Sequence, residues 1–236
     1  MNERPFNRKE RGVARAWPDP TALKHILALV EDAKRPVIIG GHGIWWSKSE
    51  QQLENTGKAR RIPIFNVPYH SKLLGEESEA YMGLADFHQY HPSKEAIHEA
   101  DVVLMIGGRL DNQMNFGNPP FFTRNQTLVC INGSHDELEY NQAADELLLS
   151  DPGAFLEALN TLERTWDDWF DLQRERRAQW VQQWYDHITE ETAKIPQIHP
   201  LQLSLDVQEE MGDDDWLIFD GGNTHFWSEI AINMAG

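Results

Sequence analysis

A chain of 236 residues with 40% hydrophobic content has room for one large domain, or for one domain and part of a second. Its formal net charge of −17, from 21 Lys and Arg against 38 Asp and Glu, excludes a general nucleic-acid binder, because phosphate backbones call for clustered cations. No run of about 18 apolar residues is present, which excludes a membrane-spanning helix.

Residues 1–17 read as a linker: Met1 to Arg15 is polar and basic without the apolar core of a secretory signal, and Trp17-Pro18-Asp19-Pro20 is stiff punctuation. Asp19-Pro20-Thr21 opens a helix with Leu23, Ile26, Leu27 and Val30 on one face. Pro36 to Ile39 is a first strand that empties into Gly40-Gly41-His42-Gly43, and Ser47 or Ser49 caps a helix toward Arg60. Ile62 to Pro68 is a second strand with prolines at its ends. Glu76 to Gln89 is irregular, and Pro92 to Glu99 is helical. Val102 to Ile106 repeats the opening pattern and runs into Gly107-Gly108-Arg109. A loop follows over Asn112 to Phe122, then a strand over Leu128 to Asn132, a short helix from Asp136, an edge strand over Glu146 to Ser150 and a helix over Gly153 to Leu162. Nearly continuous apolar strands alternating with helices predict an α/β fold, a doubly wound, Rossmann-like parallel sheet of about five strands over residues 18–165.

Residues 166–198 change character. Trp166, Trp169, Phe170, Gln173, Arg177, Trp180 and Trp184 fall near helical spacing, as on a connector helix lying across the domain or against another chain. From His199 a helix near Leu201 to Val207, a strand over Trp216 to Phe219 and a helix from Phe226 predict the start of a second α/β domain, truncated at Gly236.

Three glycine loops could meet a ligand. Gly40, Gly41 and Gly43 form a candidate phosphate or dinucleotide loop, but Trp46 holds the third glycine position of the dinucleotide fingerprint, and no acidic residue ends the second strand. The alternative is a tight strand-to-helix turn. Arg109, just past a strand, is placed for a pyrophosphate or a carboxylate; the alternative is an ion pair with Asp111 or between domains. Asp220-Gly221-Gly222-Asn223-Thr224-His225 offers backbone donors, an amide, a hydroxyl and an imidazole before a helix, which suits a diphosphate; the alternative is a turn capped by Asn223 or Thr224. His42, His70, His88 and His91 lack zinc spacing, and the cations Lys58, Arg60 and Arg61 read as a solvated helix end. The single cysteine, Cys130, reads as a small buried hydrophobe and fits a reducing, cytoplasmic setting.

In order along the chain, Arg35 to Gly43 with Trp46-Ser47, the strand Ile62 to Val67, Ala100 to Asp111 and Ala144-Asp145 resemble the central domain of thiamine-diphosphate-dependent enzymes, in their acetolactate synthase-like branch. Residues 199–236 resemble the opening of that family's cofactor-binding domain, where Gly222, Asn223 and Thr224 match the loop that helps hold the diphosphate. The resemblance implies thiamine diphosphate with magnesium, a small-molecule carbonyl substrate, a lyase or synthase working on a carbon–carbon bond next to a carbonyl, and partnership with further domains or a homo-oligomer. It also implies that the activating glutamate lies before Met1 and the magnesium motif beyond Gly236, so that this chain alone is inactive. Some relatives bind FAD or ADP in the central domain. Here Ile131-Asn132-Gly133-Ser134-His135 stands where the family usually shows Ile-Asp-x-Asp-Pro, and both acidic positions are replaced. A stand-alone nucleotide-binding module and a purely architectural one are the alternatives.

Overall fold

The computed structural model describes residues 14–68, 73–75, 77–88, 92–141, 143–194, 197–212, 215, 217–218 and 220–234. Most of the N-terminal linker, His70, His91, Trp216 and Phe219 lie outside the described residues.

Six parallel strands form one sheet: β1 (Pro36–Gly40), β2 (Ile64–Asn66), β3 (Tyr81–Leu84), β4 (Val102–Ile106), β5 (Thr127–Asn132) and β6 (Glu146–Leu149), in the order β3-β2-β1-β4-β5-β6. The chain builds outward from β1 through β2 to β3, then returns to place β4 on the other side of β1. The doubly wound α/β fold read from the sequence is thus the observed one, with its switch point between β1 and β4. β1 and β4 are buried along their whole length, in register from Pro36 opposite Val102 to Gly40 opposite Ile106. This is why both read as unbroken apolar runs rather than as alternating ones.

The sixth strand is a correction. The sequence reads Glu76 to Gln89 as irregular, yet Tyr81–Leu84 pairs with β2. The strand is four residues long, Gly83 sits inside it at φ 106°, and its register with β2 shifts between Ile64 and Asn66. A short run broken by glycine carries too little periodicity to be seen.

The helices cover both faces. α1 (Pro20–Asp32) is capped by Asp19, whose carboxylate accepts from the Thr21 and Ala22 amides at 2.9 Å. The stretch after β1 holds two helices, not one: α2 (His42–Trp46) precedes α3 (Glu50–Arg60). Ser49 occupies the N-cap of α3, but its hydroxyl donates back to the Ile44 carbonyl at 3.2 Å. α4 (Ser93–Glu99), α5 (His135–Glu139) and α6 (Pro152–Leu159) complete the layer. Cys130 lies buried in β5, and burial pushes its thiol up to about 12. Lys58 pairs with Glu54, and Arg61 faces Glu79, Asp167 and Asp171, so these cations are neutralised within the chain.

α7 (Asp167–Lys194) runs for 28 residues. At its start Trp166, Trp169 and Phe170 join the sheet's core; the Trp166 indole donates to the Ala33 carbonyl at 2.8 Å and the Trp169 indole to Pro36 at 2.9 Å. Farther along, Trp180 and Ile188 pack in a second, smaller cluster with Leu201, Ile230 and Ala231 of α8 (Pro200–Glu209) and α9 (Asn223–Met234). Leu217 and Ile218, expected in a strand, are in none, and Ile218 is 87% exposed. A strand needs a hydrogen-bonding neighbour, and the sheet formed by β1 to β6 does not include this segment. α9 starts at Asn223, three residues before the expected Phe226.

Candidate functional site

The carboxyl edge of the sheet opens at the switch point into a cavity of about 610 Å³, the size of a small-ligand site. Its floor is the loop after β1 locked against the loop after β4. The Gly41 amide donates to the Ile106 carbonyl at 2.8 Å, and the Gly43 amide donates to Gly107 at 2.8 Å. A Cβ on Gly41 would lie 2.4 Å from the Gly108 Cα, and Gly107 takes φ 69° with its own Cβ position 2.7 Å from the Gly43 Cα. Two backbones meet with no room for a side chain, so the site needs glycine for close approach. Gly40 ends β1 behind this contact, and its carbonyl accepts from Val67 at 2.9 Å. Gly43 lines the cavity, with the amide already committed to β4's loop.

Arg109 lines the cavity beyond Gly108. Its guanidinium forms two hydrogen bonds with the Glu137 carboxylate of α5 and lies over the Tyr140 ring at 5.2 Å. The Glu137 pairing raises the arginine further above its usual range and holds the Glu137 carboxyl below its own. Asn141, fully buried, fixes the loop that carries Arg109: its side-chain oxygen accepts from the Leu110 amide at 2.8 Å, and its nitrogen donates to Gly108 at 3.3 Å. Opposite, Ser47 donates to Asp151 at 2.9 Å, and Arg15 approaches the same oxygen at 3.6 Å. Asn132 caps its own turn by accepting from the Ser134 amide at 3.1 Å. Burial lowers the His42 imidazole from its ordinary value. Trp46, on the cavity's rim, is 75% exposed.

The other candidate loop stands elsewhere. Gly222, Asn223 and Thr224 are exposed at the start of α9 and are not among the cavity's lining residues. Gly222 takes φ 92°, nothing lies within 4 Å of a Cβ on Gly221 or Gly222, and the Gly222 carbonyl accepts from Phe226 at 3.4 Å. Asp220 accepts from the Gly221 amide at 2.8 Å, and His225 lies 3.4 Å from Glu229 one turn on. The loop is open to a ligand that needs backbone approach. Gly40, Gly41, Gly43 and Arg109 therefore gather at the sheet edge, while Gly222, Asn223 and Thr224 gather on the α8–α9 unit.

A family model described as "Thiamine pyrophosphate enzyme, central domain" matches residues 23–159, from within α1 through the whole six-stranded sheet to the end of α6. The chain belongs to this family. This chain is 32% identical over 127 residues to 2-hydroxyacyl-CoA lyase 1 of Dictyostelium discoideum, covering 54% of this chain and 20% of that protein. Acetolactate synthase large subunit of Lactococcus lactis subsp. lactis (strain IL1403) is 25% identical over 213 residues, 87% of this chain and 35% of that protein. Oxalyl-CoA decarboxylase of Escherichia coli (strain K12) is 23% identical over 222 residues, 92% of this chain and 38% of that protein. The chain thus spans well under half the length of these curated relatives. Among solved structures, benzoylformate decarboxylase from Polynucleobacter necessarius superimposes with a TM-score of 0.55 at 19% identity, over 66% of this chain and 29% of that one, a likeness of fold.

Within the central domain, sequence reasoning missed Glu137, Asn141 and Asp151. Each acts on a loop far along the chain, and a lone Glu, Asn or Asp after a strand carries no spacing signal for such a contact. Trp46 was legible as the residue that breaks the glycine fingerprint, but not as the rim of a cavity.

Proposed function

We propose that this chain forms the central domain and the opening of the cofactor domain of a thiamine-diphosphate-dependent lyase or synthase. The reaction is cleavage or formation of a carbon–carbon bond next to a carbonyl, in a 2-oxo acid or 2-hydroxyacyl substrate. The family match over residues 23–159 carries this reading. It is supported by alignments to synthase and decarboxylase relatives that run on past residue 159, over 213 and 222 residues.

Gly222, Asn223 and Thr224 are the residues proposed to hold the cofactor's diphosphate. The exposed loop, the free space at both glycines and the following helix of 12 residues fit that task. When bound, the cofactor supplies an electron sink for the carbanion that forms beside the carbonyl. Asn223 and Thr224 would donate from amide and hydroxyl, and the glycine backbone would approach the phosphates closely. Magnesium accompanies the diphosphate in this reading, but no group of three or more His, Cys, Asp or Glu among the described residues could hold a metal, so none is assigned as its ligand. No described helix is long and apolar enough to cross a membrane. A cytoplasmic setting, further domains or a second copy supplying the activating carboxylate, and a small carbonyl compound as substrate complete the proposal.

Under this reading the sheet domain positions the catalytic parts. Binding of FAD or ADP there is the alternative, and the donor set does not suit it. The Gly41 and Gly43 amides are committed to β4's loop, and Arg109 is committed to Glu137. Assaying the purified chain with thiamine diphosphate, magnesium and 2-oxo acid or 2-hydroxyacyl substrates is expected to give no turnover. Cofactor-dependent turnover by this chain alone would overturn the division of labour proposed.

A further inference from the structure

A second recess lies away from the switch point. It is a groove of about 360 Å³ between α4 and the loop that carries Pro120 and Phe121 from β4 to β5. It shares no described lining residue with the cavity at the sheet edge, and none with the loop before α9. Its apolar wall is Phe87, Pro120 and Phe121. Phe121 belongs to the sheet's core and is 3% exposed. Phe87 packs on that core edge-on to Phe121, with ring centroids 6.0 Å apart. The groove is therefore floored by the outer surface of the core, where an apolar body gains free energy by leaving water.

The polar side chains around the groove differ in what they have left to offer. Glu99 accepts from both terminal nitrogens of Arg176 on α7, at 2.8 and 3.3 Å, and Glu95 lies 3.4 Å from the same guanidinium. His98 has a ring nitrogen 3.3 Å from the Pro120 carbonyl. Lys94 is the exception. Its ammonium lies over the Phe87 ring at 5.7 Å and makes no hydrogen bond or ion pair among the described residues. A cation–π contact uses the face of the ring but none of the ammonium's three donors. A carboxylate at this end of the groove would take them, and Arg176, shared between Glu95 and Glu99, offsets part of their charge. An ammonium headgroup would meet the like charge of Lys94 instead. We propose that this groove binds an amphipathic monocarboxylate, with its apolar body along Phe87, Pro120 and Phe121 and its carboxylate on Lys94. The inference goes beyond the thiamine diphosphate reading and uses none of its residues, so either can fail alone.

Titration calorimetry of the purified chain with octanoate, octylammonium and acetate tests it, in about 0.15 M salt to screen the chain's net charge of −17. Octanoate is expected to bind at least about tenfold more tightly than octylammonium, which has the same tail and the opposite head. Acetate, with the head and no tail to bury, is expected to give no binding at millimolar concentration. Lys94→Gln is expected to erase the preference for octanoate with an unchanged circular dichroism spectrum and melting temperature. In backbone amide NMR, octanoate is expected to move the Lys94, His98 and Phe121 signals and to leave Gly43, Arg109 and Gly222 in place. No octanoate binding by the unaltered chain at millimolar concentration would overturn the proposal, as would equal affinity for octylammonium. So would a full preference for octanoate in Lys94→Gln, or octanoate shifts centred on Arg109.

Discussion

At the scale of single residues, the sheet edge is held by backbone atoms and a few carboxylates. Gly41, Gly43 and Gly107 let two loops touch without side chains between them. Gly41→Ala would drive a methyl group to 2.4 Å from the Gly108 Cα, a backbone atom that cannot swing away. Urea denaturation is expected to show a loss of about 3 kcal/mol, at the upper end of overpacking costs. A loss below about 0.5 kcal/mol, the size of an ordinary surface substitution, would show that the loops do not interlock this way. Asp101 and Asp145 do similar work at the other end of the sheet. The Asp101 carboxylate accepts from the Lys34 and Arg35 amides at 2.7 and 2.8 Å, and Asp145 accepts from Leu128 at 2.8 Å. Both sit in Ala-Asp pairs just before a strand, and this is the physical content of two of the motifs that carried the family resemblance. Such residues are legible because strand and carboxylate are adjacent in sequence. Glu137 and Asn141 are not, since their effects cross between separate loops.

Among the elements, α7 decides how the parts are joined. Its first turns belong to the sheet domain through Trp169 and Phe170, with Trp166 just before them, and its later turns belong to the α8–α9 cluster through Trp180 and Ile188. The aromatic stripe was legible from helical spacing, but its division between two cores was not, because both halves show the same period. Trp169→Phe keeps most of the packing and strips the Pro36 carbonyl of its indole donor. It is expected to lower stability by about 1–3 kcal/mol, the cost of an orphaned buried group, measured as a shift in urea midpoint at constant slope. At the far end His199 caps α8 by accepting from the Leu201 amide at 3.2 Å, with its ring 5.6 Å from the His187 ring and 5.0 Å from Trp227. Burial, and then the neighbouring His187, lower its pKa, with Glu191 opposing in part. The folded chain therefore binds fewer protons here than the unfolded one. The contribution is present above the unfolded value of about 6.5 and is lost as pH falls below it. Denaturation midpoints at about pH 7.5 and about pH 5.5 are expected to differ less in His199→Asn, which keeps a capping oxygen but does not titrate. An unchanged gap would remove His199 from the account.

Across the whole molecule, a large sheet domain and a small helical unit share one long helix. The sheet domain was legible almost throughout, because its strands are buried on both faces and its glycine turns recur. The third strand escaped through its shortness and Gly83. The helical unit was legible in its helices and not in its strand: residues around Leu217 and Ile218 have the composition of a strand, but composition does not supply a neighbour to pair with. A net charge of −17 makes the chain a poor partner for polyanions. The central claim is that the cofactor's diphosphate is read by the loop before α9 and not by the cavity at the sheet edge. Backbone amide NMR of the isotope-labelled chain, titrated with thiamine diphosphate and magnesium, tests this most directly. The expected result is that the Gly222, Asn223 and Thr224 signals move with the diphosphate compound and not with thiamine, while Gly43 and Arg109 stay in place. Shifts centred on Gly43 and Arg109, or equal shifts with thiamine, would contradict it.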